Sequence, residues 1–334
     1  MITEDTHFKA LWITKTEKKA FLRTLINRKV ADLPPGDLLI RTHYSALNFK
    51  DALSATGNKG VTRNYPHTPG IDAAGLVAAS NTSTFKEGDK VIVTGFDLGM
   101  NTSGGMGEYI RVPAHWAVPL PPGLGLKESM ILGTAGLTAG ISLYKMEKMG
   151  QRPNMGPIVV TGASGGVGSV ALGIFAKAGY EVIASSGKNH ARELLQTLGA
   201  AKVVGREYVS DESGRQLIKP RWSGALDTVG GKTLATLLKG CAAEGSVAAC
   251  GLVASSGLPT TVFPFILNGV NLLGVDSATF PAPERNEIWS RLSDKWRFPK
   301  LEAIATLCSL NEINTHIDRI LCSEVVGRVV VEMK

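Results

Sequence analysis

Along the second half of the chain, short uninterrupted apolar runs alternate with stretches in which apolar positions recur every three to four residues. Pro157-Ile-Val-Val-Thr161 reads as a strand buried on both faces. Beyond it, Val167, Val170, Ala171, Ile174, Phe175 and Ala178 fall on one helical face, and Gly179 ends the helix. The rhythm repeats. Val182-Ile-Ala184 is followed by a helix from His190 to Leu198 with Leu194, Leu195 and Leu198 inward and Gly199 as its stop. Val203-Val204 and Ala225-Leu-Asp227 then precede a helix from Lys232 to Lys239, ended by Gly240. Val247-Ala-Ala-Cys250 and Leu272-Leu-Gly-Val275 complete six apolar strands. Six such strands alternating with helices predict an α/β, doubly wound parallel sheet.

The first half has a different texture. Leu38 to Tyr44, Lys90 to Thr94 and Glu108 to Val112 are short strands punctuated by Pro34-Pro-Gly36, Glu87-Gly-Asp89, Gly104-Gly105 and Pro121-Pro-Gly123. That pattern predicts an irregular β-barrel up to residue 128, with helix beginning near Ser129. A helix around Glu284 to Lys295 precedes a closing strand, Gly327 to Glu332, which is expected to return to the first domain. The division is therefore residues 1–128 with 279–334, and 129–278.

Composition sharpens this picture. Glycine fills 38 of 334 positions, about 11% against a usual ~7%, without a fixed period. With 44% hydrophobic residues, fibrous and disordered classes are excluded, and the excess glycine points to tight strand-to-helix turns. The formal charge is +7, but the cations are scattered and lack the aromatic interleaving of a strand-binding surface. No nucleic-acid partner is expected, and small polyanionic ligands account for the charge. Cys241, Cys250, Cys308 and Cys322 form no metal-spaced cluster and read as buried free thiols of a reducing, cytoplasmic compartment. The N-terminus carries acids and no apolar h-region. The uncharged stretch from Gly245 to Val275 is broken by Gly251, Pro259 and Pro264, so buried strands joined by turns, rather than a membrane span, are predicted.

Chemistry concentrates where the alternating pattern begins. In Thr161-Gly-Ala-Ser-Gly-Gly-Val-Gly168, between the first strand and first helix of the α/β unit, Gly165 would let backbone approach a pyrophosphate. Gly168 would allow close helix packing, and the N–H groups of Gly166, Val167 and Gly168 would face the anion. An NAD site needs a carboxylate about 20 residues on. Here Ser186, Gly187 and Lys188 stand there instead, with no acid before Glu193. Hydroxyls and a cation suit a 2′-phosphate, so NADPH is the expected cofactor, set against a solvated surface role for Lys188.

These residues, together with Ala46-Leu-Asn-Phe-Lys-Asp-Ala52, Pro69-Gly-Ile-Asp-Ala-Ala-Gly75, Gly133-Thr-Ala-Gly-Leu-Thr-Ala139, Pro264-Phe-Ile-Leu267, Gly274-Val-Asp-Ser277 and Gly327-Arg328, resemble the medium-chain dehydrogenase/reductase superfamily. The specific likeness is to its zinc-free, quinone-oxidoreductase-like branch of NADPH-dependent acrylyl-CoA reductases. The resemblance spans essentially the whole chain. It implies a GroES-like catalytic barrel, a Rossmann NADPH-binding domain and a homodimer. Where the zinc enzymes carry Gly-His-Glu this chain has Gly70-Ile71-Asp72, and no Cys precedes residue 241, so no metal is expected. By matching positions, the resemblance places cofactor contacts on Phe49, Gly165 to Gly168, Ser186, Gly187, Lys188, Arg206, Leu252, Ile266, Ser277 and Cys322. Relatives usually have Tyr at the place of Phe49 and often Asn at that of Cys322.

The activity so implied is reduction of the activated C=C bond of acryloyl-CoA to propionyl-CoA. Alternatives are a quinone or 2-alkenal reductase, and an NADPH-linked RNA-binding or other non-catalytic role. Asn48 and backbone N–H groups are candidates to stabilise the developing enolate, with Asp51 holding the Asn48 loop and water a candidate proton donor. Arg63 is a candidate for the CoA phosphates or for a surface salt bridge.

Overall fold

The computed structural model describes residues 2–333 and divides the chain into two compact units. The first comprises residues up to Thr134, Ala278–Asn286 and residues from Ala305 onward; the second comprises Ala135–Ser277 and Glu287–Ile304.

In chain order, the first unit contributes β1 (His7–Lys15), β2 (Phe21–Lys29), β3 (Leu38–Leu47), α1 (Phe49–Ala55), β4 (Asp72–Ser80), β5 (Lys90–Thr94), β6 (Tyr109–Val112) and β7 (Ala117–Pro119). The long α2 (Leu126–Lys148) leads out of it. The second unit contributes β8 (Ile158–Thr161), α3 (Gly166–Lys177), β9 (Val182–Ser185), α4 (Arg192–Thr197), β10 (Ala200–Val204), β11 (Trp222–Asp227), α5 (Gly231–Lys239), β12 (Cys241–Ala249), α6 (Phe263–Asn268) and β13 (Asn271–Gly274). Then follow α7 (Ala282–Ser293), β14 (Ala305–Ser309), α8 (Ile313–Leu321) and β15 (Arg328–Glu332).

In the first unit β1 and β2 form an antiparallel hairpin, and a larger sheet runs β14-β15-β3-β4-β5-β7 with β6 also on β3. The closing strand β15 pairs with β3, Val329 opposite Leu47. Leu38, Ile40, Val77, Val91, Val93 and Ile110 pack one core of this unit. Leu47, Val329 and Val331 pack a second against Ile313 and Ile317 of α8. Helix α2 is broken at Gly133, whose φ of 50° and ψ of −151° are not helical.

In the second unit the six strands are parallel in the order β10-β9-β8-β11-β12-β13. The chain reverses direction across the sheet between β8 and β11, the switch point at which such sheets bind dinucleotides. The apolar runs become strands because both sheet faces are covered: Ile158, Val159, Val160, Ala225 and Leu226 are fully buried.

Three expectations need revision. Residues 287–304, expected with the first domain, group with the second unit because Ile288, Trp289, Leu292 and Trp296 are buried there. The 245–275 stretch is not buried throughout: β12 is an interior strand, but Leu252, Val253 and Val262 lie on an exposed connection and β13 is a half-exposed edge strand. Of the thiols, Cys241 and Cys308 are buried and Cys250 is half-buried. Cys322, at the C-cap of α8, is exposed. Burial pushes the Cys241, Cys250 and Cys308 thiols up to about 12.

Candidate active site

The glycine-rich turn leaves β8 and enters α3. Gly162 has φ +57°, and a Cβ at Gly168 would collide with Gly162 O, so the helix packs on the turn only with glycine there. The first backbone bond of α3 runs from Ser169 N to Gly165 O. The N–H groups of Gly166, Val167 and Gly168 are thus left at the positive end of the helix, where an anion is held.

The predicted phosphate residues come together at the ends of β9 and β10. An ideal Cβ at Gly187 would lie 2.5 Å from Arg206 Nε, so the missing side chain is what lets the guanidinium lie against this backbone. Lys188 N donates to Ser186 Oγ at 3.1 Å, and Ser186 Oγ lies 2.9 Å from Ser164 Oγ. Ser164 and Ser186 are both buried. Their paired hydroxyls share one hydrogen bond, so one hydroxyl proton of the two remains available to an oxyanion. Ser164 escapes sequence reasoning because nothing marks the middle of a glycine turn as facing the next strand. The other contacts implied by the resemblance are more scattered. Leu252 and Ile266 are 65% and 68% exposed, and Ser277 Oγ accepts from Thr138 at 2.9 Å.

In the first unit, Asn48 is the N-cap of α1, with Phe49 exposed beside it and Asp51 three residues on. Asp51 closes a capping box: Asn48 N donates to its Oδ2 at 2.7 Å, and Gly70 N and Ile71 N donate to Oδ1 at 3.1 and 2.8 Å. The Asn48 side chain is fully engaged. Nδ2 donates to Ala46 O at 3.3 Å and Asp72 Oδ2 at 2.8 Å, and Oδ1 accepts from Arg328 Nη1 at 3.0 Å. This corrects the expectation for Asn48: both amide protons are committed within the protein, leaving none to stabilise an enolate.

Asp72 is fully buried. Thr134 N and Oγ1 donate to it, and Arg328 Nη2 lies 3.6 Å from Oδ2. Among the described residues no three His, Cys, Asp or Glu side chains converge to hold a metal ion. Burial raises the carboxyl pKa values of Asp72 and Asp51, the latter to about 7, and lowers the guanidinium pKa of Arg328. Arg328 and Thr134 lie in the Gly327-Arg328 and Gly133-Thr134 segments, but nothing in their spacing reveals that both meet Asp72.

Arg63 is exposed, with its backbone N–H donating to Asn101 Oδ1 at 3.2 Å. It takes part in no ion pair among the described residues, so its guanidinium is open to solvent.

Residues 34–122 match the alcohol dehydrogenase GroES-like domain, and residues 166–294 match the zinc-binding dehydrogenase family. The chain is 41% identical to the acrylyl-CoA reductase AcuI of Ruegeria pomeroyi, covering 98% of this chain and 99% of that relative. It is 45% identical to YhfP of Bacillus subtilis, whose name places it provisionally among quinone oxidoreductases, covering 90% of this chain and 92% of the relative. The solved structure of YhfP with NAD bound superposes with a TM-score of 0.96, covering 98% and 100% of the two chains at 42% identity. That of the YhdH oxidoreductase from Salmonella enterica in complex with NADP gives 0.94, with the same coverage and 41% identity. A GroES-like unit followed by a Rossmann unit, with these relatives along nearly the full length, makes this chain a member of the medium-chain dehydrogenase/reductase superfamily, in the branch that resembles acrylyl-CoA reductases and quinone oxidoreductases.

Proposed function

We propose that this oxidoreductase uses NADPH to reduce the activated C=C bond of an acryloyl thioester, acryloyl-CoA to propionyl-CoA, without a metal. The observation that carries the cofactor half is the grouping of Ser164, Ser186, Lys188 and Arg206 around Gly187, with no acid between β9 and Glu193. A 2′-phosphate is met there by hydroxyls and cations, whereas the ribose of NAD lacks its usual carboxylate acceptor. The Rossmann turn supplies the N–H groups of Gly166, Val167 and Gly168 for the pyrophosphate. Support for the acceptor comes from the 41% identity to an acrylyl-CoA reductase over 98% of the chain.

Bound NADPH would supply a hydride for the β-carbon, and solvent would supply the proton for the α-carbon, which together balance acryloyl-CoA to propionyl-CoA. With the Asn48 amide committed elsewhere, the thioester oxygen is met in this reading by backbone N–H groups and water. Asn48, Asp51, Asp72 and Arg328 position the loop that presents Phe49, and the exposed Arg63 is assigned to the CoA phosphates.

A quinone or 2-alkenal acceptor is the second reading, favoured by the 45% identity to YhfP. NADPH oxidation with acryloyl-CoA, 1,4-benzoquinone and a 2-alkenal, each repeated with NADH, tests both halves. Turnover with acryloyl-CoA well above the other acceptors is expected. Turnover with quinone alone moves the assignment to the second reading, and salt-sensitive RNA retention without reduction of any acceptor replaces both. A homodimer accompanies the proposal: among the described residues no strand pairs the outer edge of β13, and Leu272 on it and Leu267 before it are exposed, a surface suited to a second copy.

A further inference from the structure

We infer that Asp227 is a positioning residue that holds two cofactor-facing loops of the second unit in one register, the glycine turn and the loop carrying Leu252. The inference rests on the NADPH reading above and adds a residue that touches neither phosphate nor ring.

Asp227 ends β11, beside β8, at the point where the sheet reverses. Its carboxylate is fully buried, and among the described residues no cation pairs with it. Oδ1 accepts from Thr161 Oγ1 at 2.6 Å and from Val229 N at 3.2 Å, and Oδ2 accepts from Gly230 N at 2.7 Å. Thr161 is the residue from which the glycine turn departs. Its hydroxyl oxygen accepts from Thr228 N at 3.1 Å and its carbonyl accepts from Thr228 Oγ1 at 3.0 Å. The Thr161 proton is therefore directed at Asp227, and the turn after β8 is stitched to the turn after β11 by three hydrogen bonds.

The second turn in its turn supports a third. Cys250 N donates to the Asp227 carbonyl at 2.9 Å, Ala254 N donates to Val229 O at 2.9 Å, and Gly230 bridges to Ser255. Between these attachments Leu252 is exposed, and the loop stands over a cavity of about 290 Å³ lined by Leu234, Ala249 and Val275 among others. A loop with space behind it takes its position from its hydrogen bonds, and these run to residues 227–230. A buried acid without a cation is costly. Here its three hydrogen bonds go to the backbone of the following loop and to Thr161, as holding loops requires.

The test uses the full-length protein and two substitutions. Asp227→Asn places an amide donor against Gly230 N–H or Thr161 Oγ1. Thr161→Val removes the hydroxyl while keeping shape, and Thr161→Ser restores it. NADPH dissociation constants are read by fluorescence, beside the melting temperature of each cofactor-free protein. Asp227→Asn and Thr161→Val are expected to weaken NADPH binding about tenfold to a hundredfold, the range of a lost hydrogen bond to a charged group. Thr161→Ser is expected to stay within about twofold of wild type, since it keeps the donor. Lowered melting temperatures with unchanged NADPH affinity would reduce Asp227 to a fold-stabilising residue and overturn the inference, as would equal weakening by Thr161→Ser and Thr161→Val. Should Asp227→Asn fail to fold, the Thr161 pair decides alone. Absence of NADPH binding by wild type would strike the cofactor reading instead.

Discussion

Thr134 closes on Asp72 through both its backbone and its side chain: its N–H lies 2.9 Å from each carboxylate oxygen and Oγ1 donates to Oδ1 at 2.6 Å. The contact is possible because α2 breaks one residue earlier. At Gly133 an added Cβ would stand 2.5 Å from Asp72 Oδ2 and 3.0 Å from Arg328 Nη2. A buried acid, a guanidinium and a helix break thus meet at one place in the first unit.

Removing one member of this cluster leaves its partner charged and buried. Asp72→Ala is expected to lower unfolding free energy by about 3–5 kcal/mol, the cost of breaking a buried ion pair from one side. The double variant Asp72→Leu/Arg328→Leu is expected to lose less than the sum of its singles, because neither charge is then stranded. Urea titration of the three proteins checks both statements, and strict additivity would show that the two residues do not act as a pair.

Asn48 separates two roles by two measurements. As a positioning residue, Asn48→Ala lowers stability by about 1–3 kcal/mol, because Arg328 and Asp72 each lose a buried partner. An enolate donor would instead cost about a hundredfold or more in kcat with little change in melting. The structure predicts the first outcome, with similar proportional losses on acryloyl-CoA and on a simple enone.

Much of this architecture can be read in advance, and the reason is local. The strands of the parallel sheet are contiguous apolar runs bounded by glycine, so a reader needs only neighbouring residues to find them. The candidate phosphate residues follow from what ends β9. The Asp72 cluster is different: Arg328 and Asn48 are 280 positions apart, and their contact exists only because β15 pairs with β3. Helix α8 shows its buried face only as Ile313 and Ile317, four residues apart, too brief a pattern to announce a helix. Ser164 and Asp227 acquire meaning from the neighbouring strand, which sequence order does not reveal.

The buried acid Asp51 gives stability a pH dependence. Desolvation raises its carboxyl pKa to about 7, while the unfolded chain loses that proton near 4. Between those values the folded state binds more protons than the unfolded one. The Asp51 contribution is therefore fully present below pH ~4, is lost as pH rises to about 7, and changes by at most about 1.4 kcal/mol per pH unit. Melting curves of wild type and Asp51→Asn between pH 4.5 and 8 check this. The difference between the two proteins should shift in favour of the variant as pH rises and level off above 7. A constant difference would show that the carboxyl is ionised throughout.

Cofactor choice tests the grouping around Gly187. Lys188→Asp brings a negative charge to the place assigned to the 2′-phosphate and is expected to raise KM for NADPH about tenfold or more, with NADH little affected. Gly187→Ala should act in the same direction, because the new methyl group occupies the space of the Arg206 guanidinium. Steady-state kinetics with both cofactors measure the selectivity. Unchanged ratios in both variants would remove the phosphate from this pocket.

Arg63 bears on the acceptor. Its guanidinium is exposed and takes part in no ion pair among the described residues, so a structural salt bridge does not account for it. A long anionic acceptor offers phosphates that an exposed guanidinium can grip, whereas a simple enone offers none. Binding that is equal in ground and transition states appears in KM alone. Arg63→Ala should accordingly raise KM for acryloyl-CoA several-fold, leave kcat near its wild-type value, and leave both constants for a small enone unchanged. Raising the salt concentration should shrink the same difference, because the contact is solvent-exposed. Equal changes on the thioester and the enone would place Arg63 outside acceptor binding and weaken the case for a coenzyme A ester over a small enone or quinone.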